Sequence, residues 1–270
     1  MKRTTLRVLV FSTLALLVGV NLPASFAQNP LAVRSSIQET PTAPEWLSLT
    51  IVKVKPDMLP EFQNFMRNQT NPALRKAGVQ WRDVWQNTAA AGDAFEYVIV
   101  SQVGKLAEFD GPSPIEKALG SEGSAAWFAK AGSMVTSVHR YLIRTRPDLG
   151  HFAQMTGPPK IAVVTTYNVV PGRNLDFENY LKNDLAPVMK QGKASFLVSQ
   201  TIFGGDGNQY VTLLLRENFA ELDKGPLPMQ VLGAEGAQKL FQKMPAGALK
   251  HVDRSIARYV PELSIAPPRQ

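Results

Sequence analysis

A chain of 270 residues with a formal charge of +7 and no cysteine is long enough to bury a sizeable core. It has no disulfide framework, thiolate metal ligand or cysteine nucleophile. Three of its 29 basic residues, Lys2, Arg3 and Arg7, stand at the very start, and the other 26 face 22 acidic residues with no Lys/Arg block. That near-balance gives no electrostatic case for a nucleic acid partner.

The N-terminus reads as a signal peptide over residues 1–27. A basic start precedes the apolar run Val8–Val20, and Ser25-Phe26-Ala27 puts small residues at the −3 and −1 positions of a cleavage site. The run is too short for a comfortable membrane span, which needs about 20 residues. The expectation is an exported, periplasmic or secreted chain with no membrane attachment after cleavage; a retained N-terminal anchor is the alternative. Residues 28–45 are polar, with Pro and Ser and no hydrophobic period, and read as a flexible lead-in.

Order should begin near Trp46. The β-branched run LSLTIVKV, ended by Pro56, reads as a strand. Leu59, Phe62, Phe65 and Met66 then recur at helical spacing. Pro72 should kink or split that helix, and Gly78 suits its C-terminal cap. Strands follow at about 79–87 and 94–102, joined by a turn at Ala-Gly-Asp. A second helical region spans about 105–134, interrupted by Pro112 and Pro114, and a strand at 136–145 closes the unit.

The same grammar then repeats. After a Pro/Gly-containing linker at 150–160, residues 161–263 align with 46–149 at offsets of 115, then 114, then 113, returning to 114. Thr50 matches Thr165, Pro56 matches Pro171, Phe62 matches Phe177 and Pro72 matches Pro187. Gly78 matches Gly192, and Leu119-Gly120 matches Leu232-Gly233. The second copy's strands are expected at about 162–170, ended by Pro171, and at 194–203, 208–216 and 250–259, with a turn at Gly204-Gly205-Asp206-Gly207-Asn208. Residues 264–270 form a tail.

The order β-α-β-β-α-β is the ferredoxin-like split unit, with helices on one face of the sheet. Two such units can bury their bare faces against each other. The fold class is therefore α+β, two tandem units forming a pseudo-dimer within one chain. The strand–Pro–amphipathic-helix openings (IVKVKPDMLPEFQNFM, YNVVPGRNLDFENYL) and the closing RTRPDL and RYVPEL resemble the dimeric α+β barrel superfamily, including its NIPSNAP-like and antibiotic-biosynthesis-monooxygenase-like members. That resemblance implies an intramolecular barrel. It implies no single activity, since the superfamily hosts cofactor-free monooxygenases, isomerases, haem enzymes and domains without known chemistry.

The duplication also acts as an internal control on candidate residues. His139 aligns with Asp253, His251 with Ser137, and His151 lies in the linker, so no histidine is repeated and no clustered metal-ligand set exists. Polar strand residues that are repeated are Gln86/Gln200, Tyr97/Tyr210, Arg140/Arg254 and Arg144/Arg258. Arg140 and Arg144 share a strand face with Val138 and Leu142. A guanidinium there can line a cavity and bind a carboxylate or enolate, or it can pair with Glu108/Glu221 or Asp110/Asp223 as structural glue. Trp81, Trp85, Phe95 and Tyr97 make the first hairpin aromatic, which suits a core or a pocket wall.

The expectation is an exported protein binding a small, anionic or aromatic molecule between helices and sheet, with no cofactor. One alternative is a cofactor-free or haem-dependent enzyme of monooxygenase or isomerase type, with Tyr97, Tyr210 or His139 moving a proton and His139 as the axial ligand in the haem case. The other is a structural or interaction module.

Overall fold

The computed structural model describes residues 45–153 and 159–266. The expected signal peptide and the lead-in up to residue 44 lie outside them. The strands are β1 (Trp46–Val54), β2 (Arg82–Asn87), β3 (Glu96–Val103), β4 (Val135–Thr145), β5 (Ile161–Val169), β6 (Phe196–Phe203), β7 (Gln209–Arg216) and β8 (Leu249–Tyr259). They close into a barrel in the order β1-β3-β2-β8-β5-β7-β6-β4, with all eight pairings antiparallel. The ring order repeats after four strands, as two ferredoxin-like units require.

The two bare sheet faces are indeed buried by each other, but through closure at the edges. β2 pairs with β8 (Trp85↔Tyr259, Gln86↔Arg258, Asn87↔Ala257), and β4 pairs with β6 (Ile143↔Thr201, Arg144↔Gln200, Thr145↔Ser199). Two separate sheets would leave four strand edges unpaired, and the barrel removes all of them. Its interior is filled by Trp85, Ala162, Leu215, Ala257 and Tyr259, with Val98, Val164, Leu197 and Leu213 against them.

The outer face carries the helices. In the first repeat these are α1 (Leu59–Phe65), α2 (Asn71–Lys76) and α3 (Pro114–Ser133). In the second they are α4 (Asn174–Tyr180), α5 (Ala186–Gln191), the short α6 (Ala220–Asp223) and α7 (Leu227–Gln242). Pro72 and Pro187 do not break the chain. A single π-helical turn, Met66–Thr70 or Leu181–Leu185, precedes each proline helix and absorbs the missing donor. Gly78 takes the left-handed cap conformation, with φ of 86°. In the second repeat Lys193, not Gly192, takes it, with φ of 51°. Gly192 instead packs closely on α7: a Cβ there would lie 2.9 Å from Leu227 Cδ1.

Each repeat sends its C-terminal arm across to the other. After β4, Arg146 N bonds to Val198 O and Leu149 enters the second repeat's core. After β8, Val260 N bonds to Val84 O and Leu263 enters the first repeat's core. The start of the expected linker is therefore ordered packing: His151 bridges Phe196, as Ile265 bridges Arg82.

Candidate functional site

Strand alternation sorts the candidate residues onto two faces. Tyr97, Tyr210, Arg140, Arg144, Arg254 and Arg258 point outward toward the helix side. Trp85 points into the barrel, where its ring meets Tyr259 edge-on at 5.2 Å, so it is core. His139 is exposed, opposite Ile51 on β1 and near the carboxylate of Glu96.

The repeated glutamines close their own hairpins. Gln86 Nε2 donates to Ala94 O at 2.6 Å, and Gln200 Nε2 donates to Gly207 O at 2.9 Å. The repeated tyrosines are fully buried and tie sheet to helix. Tyr97 Oη accepts from Gln63 Nε2 at 2.9 Å. Tyr210 Oη donates to Glu178 Oε1 at 2.5 Å. Gln63 and Glu178 are themselves equivalent, so the tie is retained while its charge is not. Arg146 and Asp148, from the first repeat's arm, complete the charged version. Arg146 Nη2 donates to Glu178 Oε2 at 2.9 Å and to Asp148 Oδ2 at 2.8 Å. Hydrogen bonding from Arg146 holds the Glu178 carboxyl below its usual range. Burial, then the bond to Glu178, pushes the Tyr210 phenol well above the usual phenol range. A phenol so held gives up its proton reluctantly, and its hydrogen bond ties β7 to α4.

The repeated arginines form no ion pair among the described residues, so the expected glue to Glu108/Glu221 or Asp110/Asp223 is absent there. Glu108 instead caps the turn at Lys105, and Glu221 faces Arg216. Arg144 lies 5.7 Å from the Trp46 ring centroid, and Arg258 lies 5.8 Å from that of Phe219. Arg140 and Arg254 are exposed. They share a sheet face with the buried tyrosines but not an open concavity with them.

The informative sites are those where the two repeats differ. In the second repeat the outer face of β5 and β7 replaces Val52 and Ile99 by Tyr167 and Thr212, and α4 replaces Phe65 by Tyr180. Tyr167 lies directly opposite Tyr210, and Phe177 packs on both rings at 5.1 and 5.2 Å. Burial pushes the Tyr167 phenol up, against a downward pull from Arg254. Burial, with the nearby Tyr167 and Asp184, pushes Tyr180 up to about 12. Arg254 Nε donates to Thr165 Oγ1 at 3.3 Å and reaches solvent. Two phenols and two threonine hydroxyls thus gather within the second helix-to-sheet layer, with Tyr180, Thr165 and Thr212 buried, Tyr167 half-buried, and the Arg254 guanidinium at the solvent edge with no ion pair among the described residues. Sequence alone missed Tyr167 and Tyr180 because, apart from His139 and Trp85, the residues it favoured were those shared by both copies; comparing the copies for polar-for-apolar exchanges would have found them.

No group of three or more His, Asp or Glu residues gathers to hold a metal among the described residues. A haem would need an apolar slot around its axial ligand. His139 stands exposed near Glu96, and Lys53 and Asp93 pair at 2.7 Å on that same rim, so these residues do not fit that group.

No protein-family model and no curated protein matches the sequence. Solved structures match in fold. A candidate monooxygenase from Fusobacterium nucleatum superposes with a TM-score of 0.55 at 12% identity, covering 80% of this chain and 92% of that one. An anthrone oxidase-like protein gives 0.54 at 12%, covering 83% and 92%. A mutant chlorite dismutase from Candidatus Nitrospira defluvii gives 0.50 at 8%, covering 84% and 97%. The architecture on which these likenesses converge is the dimeric α+β barrel, built here from two halves of one chain.

Proposed function

We propose that this protein binds a small phenolic or enolic molecule at the solvent edge of its second helix-to-sheet layer. The observation that carries the reading is the placement of Tyr167 beside Arg254, with Tyr180 next to Tyr167, where the first repeat has Val52 and Phe65. An exposed guanidinium recognises the oxygen of a phenolate or enolate, and aromatic rings accept the apolar body. The threonine hydroxyls of Thr165 and Thr212 add orientation. The N-terminal pattern of residues 1–27 supports export of the chain, and N-terminal sequencing of the mature protein is expected to begin at Gln28.

Calorimetric titration with 1-naphthol and a hydroxylated anthrone tests the site. Arg254→Gln and Tyr167→Phe are expected to weaken binding at least tenfold, and Arg140→Gln, the first-repeat counterpart, to leave it unchanged. Equal weakening by Arg140→Gln, with none by Tyr167→Phe, would refute the assignment.

A second reading, an enzyme of monooxygenase or isomerase type, is favoured by the fold likeness to a candidate monooxygenase and an anthrone oxidase-like protein. In that case the same guanidinium stabilises the substrate's enolate. Loss of an enolisable proton to solvent deuterium, or uptake of dioxygen, would distinguish turnover from binding.

A further inference from the structure

The first repeat's helix-to-sheet layer holds a charge that no carboxylate among the described residues neutralises. Arg82 opens β2 and is only 6% exposed. Its Nη1 donates to Asn71 Oδ1 at 3.1 Å, and its Nη2 lies 3.7 Å from Met66 Sδ. No carboxylate pairs with it among the described residues. Burial alone acts on it, pushing the guanidinium down to about 10. Two other arginines packed into the helix-to-sheet layer are matched from within. Arg146 is chelated by Glu178 and Asp148, and Arg216 faces Glu221 at 3.6 Å. A lone buried charge is costly, and arginine keeps its proton rather than escape that cost.

The second repeat shows that the fold needs none of this polarity. Phe196 stands where Arg82 does, Ala186 for Asn71, Leu185 for Thr70, Leu181 for Met66 and Leu240 for Trp127. Phe196, Leu181, Leu185 and Leu240 all belong to that repeat's apolar core. The first repeat has therefore built a buried polar cluster where its twin has hydrocarbon. The cluster is also oriented. Asn71 Nδ2 donates to Leu263 O at 3.0 Å, which aims its carbonyl oxygen at Arg82. Trp127 Nε1 donates to Thr70 Oγ1 at 3.2 Å. Above them lies the C-terminal arm, with Ile265 N on Arg82 O at 2.8 Å and Arg82 N on Ile265 O at 2.9 Å.

We infer that Arg82 is the anchoring cation of a second binding site, which takes a small monocarboxylate beneath the C-terminal arm. One guanidinium balances one negative charge, and its fork matches the two oxygens of a carboxylate. The thioether contact to Met66 is a weak one that a carboxylate oxygen displaces. Ala73, Leu74, Ile115 and Ile265 form the neighbouring apolar cluster and receive the ligand's hydrocarbon part. The arm's backbone bridge at Ile265 must open for entry and closes over the occupant.

The test uses the full chain with benzoate, acetate and inorganic phosphate at matched ionic strength. Benzoate is expected to raise the melting temperature saturably. Arg82→Phe, which installs the second repeat's own residue, is expected to fold, to melt no lower than the parent and to bind benzoate at least tenfold more weakly. Phosphate is expected to act no more than chloride. In the unaltered protein the Arg82 guanidinium ¹⁵N resonance should move with the same benzoate dependence, a readout that does not rely on a variant folding. A benzoate response retained in Arg82→Phe, an unmoved Arg82 resonance, or an equal response to phosphate would overturn the inference. A response lost instead in Arg254→Gln would place the anion in the second repeat and likewise overturn it.

Discussion

Glu178→Gln converts the second repeat's sheet-to-helix tie into the neutral form that the first repeat already uses at Gln63. The glutamine can still accept the Tyr210 hydroxyl, so the loss falls on Arg146. Both charged side chains of that pair are about four-fifths buried, at 18% and 19% exposure. Breaking a fully buried pair from one side costs about 3–5 kcal/mol. Here Asp148 still holds Arg146 through two bonds, so the expected cost is about 1–3 kcal/mol at pH 7. For a domain of this size that is a fall of roughly 2–10 °C in melting temperature. The effect must also depend on pH. The Glu178 carboxyl is held below its ordinary value, so its stabilisation is complete above about pH 4.5 and vanishes as pH falls through the lowered native value. Urea unfolding of parent and variant at pH 7 and pH 3 checks both statements. The difference should be present at pH 7 and smaller at pH 3. An equal difference at the two pH values would show that the loss comes from packing, and no difference at pH 7 would show that the pair is idle.

Other expectations follow from single features. Tyr97, Tyr167, Tyr180, Tyr210 and Tyr259 are all raised above the ordinary phenol value, chiefly by burial. Stability should therefore hold up to about pH 10 and fall above it, as unfolded phenols ionise first; absorbance at 295 nm should rise with unfolding, and a smooth titration in the folded state would contradict this. Trp85→Ala empties the barrel interior and should cost about 3–5 kcal/mol in urea unfolding. Gly204 has φ of 87°, and a Cβ there would lie 2.2 Å from Arg140 O. Gly204→Ala should cost about 2 kcal/mol or more by straining the β4–β6 seam, whereas Gly207→Ala, with open space around it, should change stability by less than about 0.5 kcal/mol. Lys193→Gly should gain up to about 1 kcal/mol by relieving a left-handed lysine.

The sequence by itself determined the repeated unit, its strand and helix order, and the α+β class. Those follow from period-two and helical patterning and from Pro and Gly positions, which act locally and are written twice. Pattern alone also singled out Tyr97/Tyr210 and Gln86/Gln200 as positions under constraint. The constraint, however, is a helix tie in one case and a hairpin clamp in the other. Only the tertiary structure decided how the two units meet, because closure through β2–β8 and β4–β6 depends on edges that carry no local signature. It also decided which arginine matters. Arg82 attracts no notice in a strand pattern, since its isolation depends on which carboxylates the distant elements bring within reach, and none does so among the described residues. Arg146 looks like a linker residue until the arm crosses to Glu178. Charge compensation is a three-dimensional property, and a sequence read one element at a time does not contain it.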